Sequence, residues 1–337
     1  MAGTVRAPAL IPALATGIGS LPHKDASVAA QVVLKEHGRL PSAPQLPLRN
    51  AREALIPQWA RALPEVSVQI DGCLAIDLHA DAGPPDPGFA DDAHGGLLAF
   101  LDLAASSPTP LSRVKVQIAG PLTLGVALRE AGLPTERAFR RAAEATRAWA
   151  VAIESLVTQR LPDASLLMFF DEPALVLWQE QRAPIEREAA IDILSGALAT
   201  PTCMTGVHVC GDGDRRLALE AGPQVLGVEV SDELLADADA LARHLDADGW
   251  IAWGAVPTDR PVGESVEPLW RALVGVWCEL TRRSCDPVRL RNQGVITPAC
   301  GLAGHGPTQA ERALRLARML SERVQDHVAA ARLTLGA

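Results

Sequence analysis

Short apolar or β-branched runs recur along this chain near residues 14 to 20, 68 to 77, 114 to 120, 165 to 171, 205 to 210, 225 to 230, 249 to 255 and 293 to 299. Between most of them lie Ala, Leu, Arg and Glu-rich stretches whose apolar positions keep helical spacing, at 136 to 161, 185 to 198, 266 to 283 and 308 to 333. The last stretch follows Pro307 and opens with Thr308 and Glu311 at capping-box spacing. Strand and helix in alternation require parallel pairing through right-handed crossovers. Eight such units close naturally into one (β/α)8 TIM barrel, with a doubly wound open sheet as the other arrangement the pattern allows. One barrel over residues 1–337 is therefore expected, with 1–13 as a short lead into the first strand. Residues 30 to 66 and 78 to 112, rich in Pro, Ala and Asp and weakly periodic, read as loop excursions.

Composition narrows the function classes. With 48% hydrophobic and 21% charged residues the chain reads as soluble and globular, and no run of 18 apolar residues offers a membrane span. The apolar segment 7 to 15 follows Arg6 as a signal peptide would, yet runs into Gly17-Ile18-Gly19-Ser20 without a cleavage site, so a cytoplasmic location is expected. A net charge of −9 with no concentrated basic patch argues against a nucleic-acid partner. Cys73, Cys203, Cys210, Cys278, Cys285 and Cys300 are too dispersed for a small disulfide framework and point to metal binding or burial. Tyrosine is absent, so acid–base work falls to carboxyl, imidazole, thiol, amine or water.

Alternation along a strand points His208 and Cys210, in Val207-His208-Val209-Cys210, to one face. Glu229, between Val228 and Val230, and Cys300, after Pro298-Ala299, each end a separate apolar run. A carboxylate inside a buried parallel strand is costly unless paired or metal-bound. Two thiolates, an imidazole and a carboxylate make a tetrahedral set of the kind zinc prefers. Ser20, Asp171, His208, Cys210, Glu229 and Cys300 all fall at strand C-terminal ends, the face that carries barrel active sites. Asp171, in Asp171-Glu172-Pro173, can hold an amine or cap a helix. Ile18-Gly19-Ser20 offers amides and a hydroxyl to a carboxylate, or a tight turn alone, and Gly120-Pro121-Leu122-Thr123 suits a strand-to-helix turn at a pocket rim. His23 sits beside that cradle.

These segments together resemble the catalytic barrel of cobalamin-independent methionine synthases. The resemblance rests on Ile18-Gly19-Ser20-Leu21-Pro22, Gly120-Pro121-Leu122-Thr123, Asp171-Glu172-Pro173-Ala174-Leu175, His208-Val209-Cys210, Val228-Glu229-Val230-Ser231 and Pro298-Ala299-Cys300-Gly301-Leu302, in order along nearly the whole chain. It implies a zinc ion held by His208, Cys210, Glu229 and Cys300, with homocysteine as methyl acceptor. It also implies a substrate carboxylate at Ile18, Gly19 and Ser20, and an amino group at Asp171, assisted by Gln45 or Glu53 where the family has a glutamate. Three departures qualify it. The long synthases carry an additional N-terminal barrel, and this chain is about one barrel long. Leu124-Gly125-Val126-Ala127 stands where folate-using enzymes place a tryptophan-bearing segment. Residues 254 to 261 replace a histidine that precedes Ser-Pro. The departures resemble short, core-type methionine synthases, for which a methylated corrinoid (methylcobalamin) protein is the expected donor, with methyltetrahydrofolate the alternative. Other possible functions are a related zinc thiol alkyltransferase using coenzyme M, a uroporphyrinogen-decarboxylase-like barrel without metal, and a noncatalytic zinc or corrinoid-binding protein.

Overall fold

The structure is a computed structural model that describes residues 10–80 and 82–335. Strands β1 (Val66–Val68) and β2 (Leu74–Ile76) form a small antiparallel hairpin. Strands β3 (Arg113–Ala119), β4 (Ser165–Asp171), β5 (Met204–His208), β6 (Val225–Glu229), β7 (Trp250–Val256) and β8 (Gly294–Pro298) pair in parallel in chain order. Their alternation sorts two cores. Leu167, Phe169, Met204, Val225, Ala252 and Val295 meet inside the barrel together with Leu10, Leu14 and Leu40. Leu166, Met168, Phe170, Val207, Leu226, Ile251 and Trp253 face outward into the layer shared with the helices.

Two irregular segments close the wall. Thr16 N donates to Ile296 O at 3.0 Å and Ile296 N to Leu14 O at 2.7 Å, joining β8 to the first segment. Gln45 N donates to Gly19 O at 3.0 Å and Leu21 N to Gln45 O at 2.9 Å, joining the first segment to the second. Ala43 N donates to Lys115 O and Lys115 N to Pro41 O, both at 2.8 Å, joining the second segment to β3. Every one of these contacts belongs to a parallel bridge, and the result is a closed (β/α)8 barrel.

The second barrel position is thus taken by residues 41–45, not by the expected run at 68 to 77, part of which folds outside the barrel as the β1–β2 hairpin. The 68 to 77 run is interrupted by Gly72 at φ +85°, and its hairpin residues after Val66 are half-buried or exposed. Pro41-Ser42-Ala43-Pro44-Gln45 gives no apolar signal, and its two prolines lack the N–H groups a continuous ladder needs, so only single bridges form.

The helices follow their apolar spacing. In Thr135–Arg160 the residues Phe139, Ala142, Ala145, Trp149, Ile153 and Val157 are buried along one stripe, and Trp149 Nε1 donates to Trp59 O at 2.8 Å. Helix Pro307–Leu335 starts one residue before the expected cap: Pro307 takes the first position, where a missing N–H is harmless, and Gly306 O accepts from Gln309 and Ala310. Thr308 therefore lies in the first turn and is not the cap. Residues 1–9 of the expected lead are outside the described residues, and Leu10 already belongs to the inner core. Among the described residues no helix is long and apolar enough to cross a membrane.

Candidate metal centre

His208 closes β5 with the same inward direction as Met204, and Val209 N extends the ladder by donating to Gly227 O at 2.9 Å. That extension carries Cys210 onto the rim two residues later. Cys300 arrives from the turn after β8, where Ala299 N donates to Val256 O at 2.8 Å and Leu302 N to Ser20 O at 2.9 Å. Gly301 permits this approach, since a Cβ there would stand 2.0 Å from Ser20 Oγ. The donor atoms of His208, Cys210 and Cys300 all lie within 4.8 Å of one another, and the two sulfurs are 2.8 Å apart.

The two sulfurs shift one another's titration. The contact from Cys210, with the His208 imidazole close by, pulls the Cys300 thiol down, while the same contact and burial push Cys210 up. His208 is buried, and among the described residues neither ring nitrogen has an oxygen or nitrogen partner. Buried polar atoms are rarely left so, and an imidazole beside two sulfurs fits zinc in ligand type.

Glu229, the fourth expected ligand, is not within this cluster. It ends β6 half-buried and lines a neighbouring cavity of about 330 Å³ with Pro257, Arg260 and Pro261. Burial, then the charges of Asp259 and Cys300, raise its pKa.

Asp171 ends β4 in register with Ala119 and His208. It is 6% exposed, its Oδ1 has no hydrogen-bond partner among the described residues, and burial lifts it to about 6 against the pull of Lys115 and His208. Lys115 is 1% exposed in the barrel interior, with its Nζ donating to Ile18 O and, at 3.2 Å, to Gln117 Oε1, over the ring of Phe169 at 4.9 Å. Burial lowers its pKa to about 8, with Asp171 opposing. Gln117 in turn donates from Nε2 to Ala43 O at 2.9 Å, so two β3 side chains brace both irregular segments.

Glu172, one residue on, turns away from the cavity. Its carboxylate accepts from Leu122 N at 2.9 Å, Thr123 N at 2.7 Å and Thr123 Oγ1 at 2.6 Å, and burial pushes it up to about 7. Gly120 leaves room for it, since a Cβ would fall 2.2 Å from that carboxyl group. The Gly120–Thr123 turn is accordingly the seat of Glu172 and not the pocket rim expected of it.

A cavity of about 330 Å³ is lined by Ile18, Ser20, Gln45, Asp171, His208, Cys210 and Cys300, with Ala54 and Leu55 also in its wall. Gly19 shapes its wall from behind: at φ +142° its backbone favours glycine, and a Cβ would meet the Gln117 amide at 2.2 Å. Glu53 is fully buried outside the cavity, accepting from Gly96 N at 2.7 Å and from Arg49 at 3.2 Å. His23 is also outside it, 3.5 Å from Glu311. Lys115, Gln117 and Gln58 were not singled out from the sequence. The first two had a signal, since Val114-Lys115-Val116-Gln117-Ile118 alternates apolar and polar and so places both inward.

No protein-family model and no curated protein matches the sequence. Among solved structures, a GH113 β-1,4-mannanase is similar over 92% of this chain and 99% of its own, at 10% identity and a TM-score of 0.42. A cube-shaped, highly porous cage designed by fusing symmetric oligomeric domains is similar over 71% of this chain and 74% of its own, at 14% identity and a TM-score of 0.25. At these values neither likeness bears on the chemistry.

Proposed function

We propose that this protein is a zinc-dependent methyltransferase of the cobalamin-independent methionine synthase kind, acting in the cytoplasm to methylate homocysteine with a methyl group from a methylated corrinoid protein. The observation that carries this reading is the convergence of His208, Cys210 and Cys300 within 4.8 Å, on the cavity that Asp171 also lines. These three residues would hold the zinc, and Glu229, which lines the neighbouring cavity, would have to turn toward them to serve as the fourth ligand. When bound, zinc supplies the Lewis acidity that keeps a coordinated thiol deprotonated at neutral pH. Two cysteine sulfurs temper that acidity, which suits a nucleophilic sulfur.

The remaining residues bind and orient. Asp171 takes the substrate ammonium, since its unpartnered and buried oxygen is stabilised by a cation. Ile18 and Ser20 receive the carboxylate, with the Lys115 charge behind that wall and its Nζ holding Ile18 O in place. Free cysteines at the centre suit a reducing compartment.

The test is zinc content together with methionine formation from homocysteine, comparing methylcobalamin with methyltetrahydrofolate as donor, in wild type and Cys300→Ala. One zinc per wild-type chain with turnover from methylcobalamin alone is expected, and loss of both zinc and turnover in Cys300→Ala. Turnover from methyltetrahydrofolate would replace the donor, and a zinc-free Cys300→Ala protein with full activity would overturn the reading.

A further inference from the structure

Gln45 reaches the cavity with its backbone already committed, since its N–H and C=O both belong to the pairing with Gly19 and Leu21. Its side chain is held from behind. Gln45 Nε2 donates to Gln58 Oε1 at 2.5 Å, and Gln58 Nε2 donates to Ala93 O at 2.8 Å. A primary amide can be turned end for end, so its direction has to be read from its partners. Here the far end of the relay fixes it. The carbonyl of Ala93 can only accept, so Gln58 must present its NH2 there and its oxygen to Gln45, and Gln45 must answer with its own NH2. What Gln45 has left is its carbonyl oxygen, which has no partner among the described residues. The anchor is firm: Gln58 is 2% exposed, and the adjoining Trp59 packs edge-on against Trp149 at 5.2 Å between ring centres.

We propose that Gln58 is a positioning residue that makes this site select a thiol carrying a protonated amine, because it turns the Gln45 amide so that its carbonyl oxygen joins the Asp171 carboxylate as an acceptor. This rests on the thiol-methylating reading above. A cavity wall with one anionic and one neutral acceptor satisfies an ammonium, and leaves both acceptors unpaired when a substrate lacks it.

The experiment is calorimetric titration of the zinc-loaded full chain with homocysteine and with 4-sulfanylbutanoate, which differs only in lacking the amino group. Wild type is expected to favour homocysteine by at least about tenfold, the value of one hydrogen bond to a charged group. Gln58→Leu, which frees the Gln45 amide, and Gln45→Met, which keeps the length of the side chain but removes the acceptor, should each weaken homocysteine about tenfold and leave 4-sulfanylbutanoate unchanged. Gln45→Met decides the matter if Gln58→Leu does not fold. Equal weakening of both thiols, or no change in their ratio, overturns the proposal. A wild type that binds both thiols equally overturns it while leaving thiol chemistry standing, and one that binds neither removes the underlying reading and this proposal with it.

Discussion

From β3 to β8 the barrel wall is joined by ladders of three to seven paired residues, whereas between Leu14 and Gln45 it is completed by single bridges and by side chains that reach across. In the regular part the backbone holds itself, and substitutions on the faces of the strands act through packing. The irregular part depends on a few specific groups: Lys115 on Ile18 O, Gln117 on Ala43 O, Ser321 and Gln325 on Ala13 O. The regular strands deliver side chains to the cavity at their ends, while the irregular segments deliver a wall with its own backbone turn at Gly19. The contrast predicts that single substitutions damage the two parts unequally.

The largest effect is expected where the region outside the ladder is tied down by charge. Arg141 and Glu65 are buried and bidentate, at 2.6 and 2.9 Å, and Arg141 also donates to Gly83 O at 2.8 Å. Arg141→Leu leaves the Glu65 carboxylate uncompensated and should cost about 3 kcal/mol in urea denaturation, as breaking a buried pair does. Arg282→Ala, at an exposed pair with Glu279, should cost nothing measurable.

Next comes Gly19→Ala, expected to cost about 2–3 kcal/mol because strained backbone and a collision with Gln117 add together. The control is Gly211→Ala on the regular side. At φ +55° with open space around its Cβ, it should lose only about 1–2 kcal/mol. Equal losses would remove the distinction drawn here. Thr123→Val, which takes one of three donors from Glu172 while its neighbours keep the carboxylate seated, should cost about 1 kcal/mol by the same measurement.

The smallest expected effect is with pH. His37 and His94, both in the part before β3, are lowered to about 4 by burial from an ordinary 6.5. The unfolded chain binds their protons first, so stability falls as pH drops from 6.5 toward 4. Glu53, raised to about 7 by burial, favours the folded state as pH falls from 7 toward 4.5, so two imidazoles against one carboxyl leave a small net loss. Amide exchange at pH 7 and pH 5 should show that loss in residues 26–105 before it shows in the strands from β3 onward. A uniform loss would count against it.

The sequence made the regular part legible because each of its strands is an apolar run bounded by helices with clear spacing. It hid the second barrel position because prolines suppress both the pattern and the ladder there. In the site, period-two alternation was enough to pair His208 with Cys210, and strand ends were enough to bring Cys300 to them. It could not show that Glu229 faces the neighbouring cavity, since alternation gives a direction and not a distance. Nor could it separate Asp171 from Glu172: both are acids at a strand end, and only packing against Thr123 sends one to a helix and leaves the other in the cavity.

The junction at which Gly301 lies against Ser20 gives the centre a history as well as a shape. During synthesis Cys210 leaves the ribosome 90 residues before Cys300, and the wall from Ile18 to Ser20 waits for both. A nascent chain therefore exposes half of its sulfur centre with no mate, and ring closure between its earliest and latest parts is the long-range contact that chain entropy makes slow. The seam between Ser20 and Gly301 is therefore among the last parts of the wall to close.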